Sequence, residues 1–141
     1  MSWRKLTEEN LVAALSRREI EAYRRDFEVD TVAKLITDLT GEIRGYIFSN
    51  GNVRMDPDET TIPASCIPKA VAILVVRVLS RINLQPVQIR IDNAKLAEEF
   101  FNNLAAGKGK VEDYDTPVTD TAQQVSTAPV FSAPKPKRLL D

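Results

Sequence analysis

AVAILVV, residues Ala70 to Val76, is apolar on every side, and a helix without a polar face is stable only where other elements cover it all round. The stretch therefore predicts the central element of a helical bundle. Pro63 and Pro68 stand near its start, where a missing backbone N–H costs little. Arg77 and Arg81 follow one turn apart, the pattern of a buried helix emerging toward solvent at its negative C-terminal end.

The flanking sequence supplies the covering helices. Upstream, Val29, Val32, Leu35, Ile36, Leu39, Ile43, Tyr46 and Ile47 advance by steps that keep one stripe on a 3.6-residue helix. Asn50-Gly51 then ends that helix as a C-cap. The same pair could turn a hairpin between IFS and VRM, a second reading because the helical stripe runs right up to it. Nearer the start, Thr7 followed by Glu8 and Glu9 opens a short helix to about Leu15. Ser16 with Glu19 forms a capping box that starts another, with Ile20, Tyr23 and Phe27 on its inner face. Downstream, a last helix runs from about Val87 to Ala106, with Ile91, Ala94, Ala97, Phe101 and Leu104 inward and Gly107 as its cap. Between the third helix and the central one, Asn52 to Ile62 is polar and reads as an exposed loop.

The fold class is thus all-α, a small helical bundle around a central apolar helix occupying residues 1–111. Residues 112–141 form an extended Pro/Ser/Thr-containing arm: Pro117, Pro129, Pro134 and Pro136 lie among Thr, Ser, Gln and Ala, a composition that cannot bury a core by itself. Val125, Val130, Phe131, Leu139 and Leu140 are its candidate partner-interface residues, and STAPVFS could add as an extended strand to a neighbour's sheet edge.

Composition removes several classes of chemistry. There is no His and Cys66 is the only Cys, so intrachain disulfides, Cys/His zinc sites and His-based triads are excluded. With 19 Lys plus Arg against 20 Asp plus Glu, the net charge is −1 and nominates no polyanionic partner. The start, MSWRKLTEEN, is charged where a secretion signal needs an apolar run, and no apolar run nears the ~18 residues of a membrane span. The expectation is a protein made and kept in a cytoplasm, without a membrane partner.

Each motif with chemical character has a plainer reading. DPDET, Asp56 to Thr60, has the D-x-D-x-T spacing of aspartate-nucleophile phosphatases, in which the first Asp attacks phosphorus. That chemistry needs the motif at the end of a buried strand in an α/β sheet, and no βαβ alternation exists here. An exposed acidic loop is expected instead, so Asp56→Asn should leave stability unchanged. The loop is no calcium site either, since Ile67 stands where an EF-hand needs its last Glu. Arg17, Arg18, Arg24 and Arg25 flank a helix–helix junction that could suggest a DNA reader, but residues 1–31 carry six basic against seven acidic side chains. GKGK, Gly107 to Lys110, follows a helix where a phosphate loop must precede one. Cys66 reads as a buried structural thiol, and Glu98 and Glu99 are adjacent on a helix and point apart. No catalytic, cofactor or metal residue is assigned, and the chain reads as a non-enzyme.

The order of these pieces resembles the Mu-like neck, or head completion, family of tailed phages and prophages. The resemblance rests on Trp3 with Leu6-Thr7, LSRREIEAYR (Leu15 to Arg24), TGEIRGYI (Thr40 to Ile47), TIPASC (Thr61 to Cys66), AILVVRVLSRI (Ala72 to Ile82) and AKLAEEFFNNLAAGK (Ala94 to Lys108). Two departures stand out: Val78 follows Arg77 where an aromatic is usual, and IRIDNAK, with Asp92 its single acid, lacks the further acidic and Tyr residues often seen there. The resemblance implies a virion protein of the head-tail connector type, one copy of a homo-oligomeric, typically dodecameric ring. Its implied partners are the portal protein, a tail-proximal neck or tail-terminator protein, and genomic DNA passing through the channel without sequence-specific binding. A small cytoplasmic helical adaptor and a DNA-binding regulator are the alternatives.

Overall fold

Capping decides where the first helices begin. Thr7 Oγ1 accepts the Asn10 N–H while Asn10 Oδ1 accepts the Thr7 N–H, which opens α1 (Glu8–Ala14). Ser16 and Glu19 exchange the same pair of bonds two residues after α1 ends and open α2 (Arg17–Asp26). The long α3 (Val29–Asn50) stops at Gly51, whose φ of 78° is the left-handed conformation a helix end uses and a side chain would resist. The structure, a computed structural model, describes residues 2–114.

The central helix α4 (Ile67–Arg81) has Pro68 in its first turn and buries Ala70, Ile73, Leu74, Val75, Val78 and Leu79. It ends in a Schellman motif: Leu84 N–H donates to the Leu79 carbonyl, and Asn83 takes φ 59°. The final helix α5 (Gln88–Ala105) closes the same way, with Gly107 N–H to Leu104, Lys108 N–H to Asn103 and Gly107 at φ 86°.

Arg77 of α4 pairs with Glu42 of α3, while Arg81 lies beside Phe27 and Thr31, so α4 runs antiparallel to α3. Tyr46 stacks on Phe101 at 6.0 Å and Asn50 Nδ2 donates to the Leu104 carbonyl at 2.8 Å, so α3 and α5 run the same way. The bundle is therefore mostly helical around α4, as the apolar run predicts.

One region departs from expectation. Trp3–Lys5 forms a strand, β1, that pairs antiparallel with β2 (Thr61–Pro63), Trp3 opposite Pro63 and Lys5 opposite Thr61. Asn52 to Ile62 is consequently not an exposed loop throughout. Asp56 is only 4% exposed, and Thr61 and Ile62 are buried. The reason is Arg44 of α3, which donates to the carbonyls of Asp56 (2.6 Å), Asp58 (3.0 Å) and Thr61 (2.8 Å) and pulls the segment onto the bundle.

The first residues of the expected arm also belong to the packed body. Ser2 Oγ donates to the carbonyls of Asp113 and Tyr114, Trp3 Nε1 to that of Glu112 at 3.0 Å, and Tyr114 N–H to that of Arg54 at 2.8 Å. Val125, Val130, Phe131, Leu139 and Leu140 lie outside the described residues.

Candidate functional site

The DPDET segment is held as a structural turn. Asp56 Oδ2 accepts the Thr61 hydroxyl at 2.7 Å and Oδ1 accepts the Asp58 N–H at 2.9 Å, so both carboxylate oxygens are engaged. Asp58 is exposed, and the hydroxyl and N–H of Thr60 hold its carboxyl below the usual range. A nucleophile needs a lone pair facing a cavity, and this arrangement gives Asp56 two hydrogen bonds inside the turn instead.

Cys66 is fully buried, and burial with the nearby Glu112 carboxylate pushes its thiol up to about 12. At neutral pH it is a thiol packed in the core, not a thiolate. Among the described residues no cluster of His, Cys, Asp and Glu could hold a metal ion, and no helix is long and apolar enough to cross a membrane.

The helix junction between α1 and α2 is pinned from behind. Glu19 Oε1 accepts both the Ser16 N–H and Arg90 Nη2, the latter at 2.6 Å, and Arg90 also donates to the Ala14 carbonyl. Burial disfavours the Glu19 charge, but the Ser16 N–H and Arg90 outweigh it and leave the carboxyl below its ordinary value. Arg17, Arg18, Arg24 and Arg25 all point to solvent, with Arg25 on Asp26 at 3.1 Å. Glu98, exposed on α5, borders a small polar cleft of about 160 Å³ with Glu42, Tyr46, Arg77 and Asn102, whereas Glu99 is not among its walls.

What remains is apolar surface. Ile89 and Leu96 of α5 are 61% and 63% exposed and stand seven residues apart, two turns along one line of the helix. Val87 precedes them at 56%, and Leu96 borders a groove of about 280 Å³ with Pro68, Lys69, Ala72, Asn93 and Ala97. Phe48, near the end of α3, is 77% exposed. A second groove, about 440 Å³, lies between α1 and α2 and is lined by Val12, Ala13 and Tyr23 together with Glu8, Glu9 and Arg24.

These outward apolar residues have a signature in the sequence, because Ile89, Leu96 and Phe48 fall off the inward stripes that place Ala94, Ala97, Phe101 and Ile47 in the core. Arg44 and Arg90 have none: their partners lie 12 to 17 and 71 to 76 residues away. No protein-family model, curated protein or solved structure matches the chain.

Proposed function

We propose that the chain is a structural, non-enzymatic neck protein of a tailed phage, one copy of a head-tail connector ring that sits below the portal and extends the DNA channel. The observation that carries this reading is the outer line of α5. Ile89 and Leu96, with Val87 before them, sit on a helix whose opposite side is already buried. Covering one such side chain contributes roughly 1.5–3 kcal/mol. In a ring each copy gives one face and receives another, so a modest apolar patch is used at every interface. The near-zero net charge fits a subunit that packs against its own kind and passes DNA without gripping it. The resemblance of the order of sequence pieces to that of Mu-like neck proteins suggests the place of the ring.

On this reading the partners are further copies in a dodecameric ring, the portal protein and a tail-proximal neck or tail-terminator protein. The protein is made in the host cytoplasm and ends in the virion neck, and the C-terminal arm contributes to contacts between subunits or with neck partners. Imaging the protein with portal-containing heads tests this: ring density beneath the portal is expected, and Leu96→Glu should remove it while leaving the helical fold. A chain that stays monomeric at high concentration and leaves the portal bare would sink the proposal.

A further inference from the structure

We propose that the groove between α1 and α2 is the seat of the chain's own C-terminal segment, Lys135 to Asp141. The groove is lined by the acidic Glu8 and Glu9, by Val12, Ala13 and Tyr23, and by the basic Arg24. The segment KPKRLLD carries complementary groups: Lys135, Lys137 and Arg138 for the two carboxylates, Leu139 and Leu140 for the apolar lining, and Asp141 for Arg24. Among the described residues Glu9 and Arg24 have no ion-pair partner, so both are available to an incoming chain. The Tyr23 hydroxyl donates to Glu8, which fixes that carboxylate beside the aromatic ring in the lining.

Reach favours the same molecule over a second copy. Tyr114 is tied to Ser2, and the six residues from there to Glu8 span at most about 20 Å. The 20 residues from Asp115 to Pro134 can span up to about 70 Å, far more than is needed. A tether of that length gives the segment an effective concentration of order millimolar at its own groove, above that of any free copy in dilute solution. A smaller cleft with mixed charge, lined by Asp26, Phe27, Glu28, Thr31, Arg81 and Ile82, has its Asp26 carboxylate already bound by Arg25. Occupation of the α1–α2 groove is independent of the neck assignment and holds in the isolated chain.

The test places a nitroxide on Ser132→Cys in the full-length protein, where buried Cys66 does not compete for the label, and reads amide signals by NMR. Loss of the Glu8, Glu9, Ala13 and Arg24 signals is expected, undiminished when the labelled chain is diluted with unlabelled protein. Leu139→Ser with Leu140→Ser should restore those signals, and exposed Glu9→Lys should restore them in part. Unchanged groove signals, loss confined to Asp26–Thr31, or loss seen only when isotope and nitroxide are on different molecules would each overturn the proposal, the last by assigning the groove to a second copy.

Discussion

Arg44 lies with its guanidinium carbon 5.5 Å from the centre of the Trp3 ring while donating to three carbonyls of the Asp56–Thr61 segment. One side chain of α3 thereby joins the N-terminal strand, the polar segment and the bundle. Lysine has one ammonium in place of the planar fork and cannot serve all three carbonyls while stacking on the indole. Arg44→Lys should cost about 1–3 kcal/mol, and Trp3→Ala about 3–5 kcal/mol through the emptied site. Urea midpoints read both; a lysine variant with the parent's midpoint would mean that the stack and fork are dispensable.

Asp56 belongs to the same turn. Asn at this position keeps one carbonyl oxygen but replaces the other acceptor with an NH₂ group, which faces either the Thr61 hydroxyl or the Asp58 N–H. Asp56→Asn should therefore destabilise by about 1–2 kcal/mol, opposite to what an exposed loop would give. Thermal melts of the variant and parent decide this, and equal melts would return the segment to solvent.

The difference between these sites and the rest of the fold is one of range. Ser16 with Glu19, Asn50 with Gly51, and the stripe from Val32 to Ile47 are resolved within a few residues of sequence, because capping and helical periodicity are local. The pairing of Trp3 with Pro63 joins three-residue strands some sixty residues apart, too short to show alternation and fixed only by tertiary packing. Burial of Asp56 follows from Arg44, which no local pattern ties to it. The candidate surface divides the same way: Ile89 and Leu96 can be found as apolar residues off an inward stripe, whereas the α1–α2 groove exists only once both helices are placed.

Acid sensitivity should centre on Glu19 and Glu42. Burial opposes the Glu19 charge, but Ser16 and Arg90 hold its carboxyl below the ordinary 4.5, and the Arg77 hydrogen bonds do the same for Glu42. A carboxyl depressed on folding contributes its full stabilisation above the ordinary value and loses it as pH falls through the folded value. Unfolding free energy should thus be flat near neutrality and decline below about 4.5. Arg90→Met should cost about 1.5–3 kcal/mol at neutral pH and flatten the acid limb. A parallel acid limb in parent and variant would show that Glu19 gains nothing from Arg90.

Leu74 is completely buried on α4 at the centre of the bundle. A carboxylate there has no partner, so Leu74→Asp should cost several kcal/mol and abolish the cooperative melt. Leu96→Asp, on the exposed line of α5, should leave that melt nearly intact. Similar behaviour of the two variants would contradict the assignment of inner and outer faces.

Truncation separates the packed strap from the arm beyond it. Glu112 accepts from the Ser65 N–H and hydroxyl, its carbonyl accepts from Trp3 Nε1, and Asp113 Oδ1 accepts the Arg54 N–H at 2.8 Å. Removing residues 112–141 strands the indole N–H of a residue 1% exposed together with several backbone groups. That loss should be about 2–5 kcal/mol, since each net hydrogen bond contributes ~1 kcal/mol and a buried donor left without a partner costs more. Removing only residues 115–141 leaves all these contacts and should keep the helical content and cooperative melt. On the neck reading it should still weaken incorporation into portal-containing heads, because Val125, Val130, Phe131, Leu139 and Leu140 go with it. Circular dichroism and neck occupancy, measured on both truncations, distinguish the two roles: full occupancy by the shorter deletion would show that the arm is dispensable for joining, and an unfolded product would extend the packed body past Tyr114.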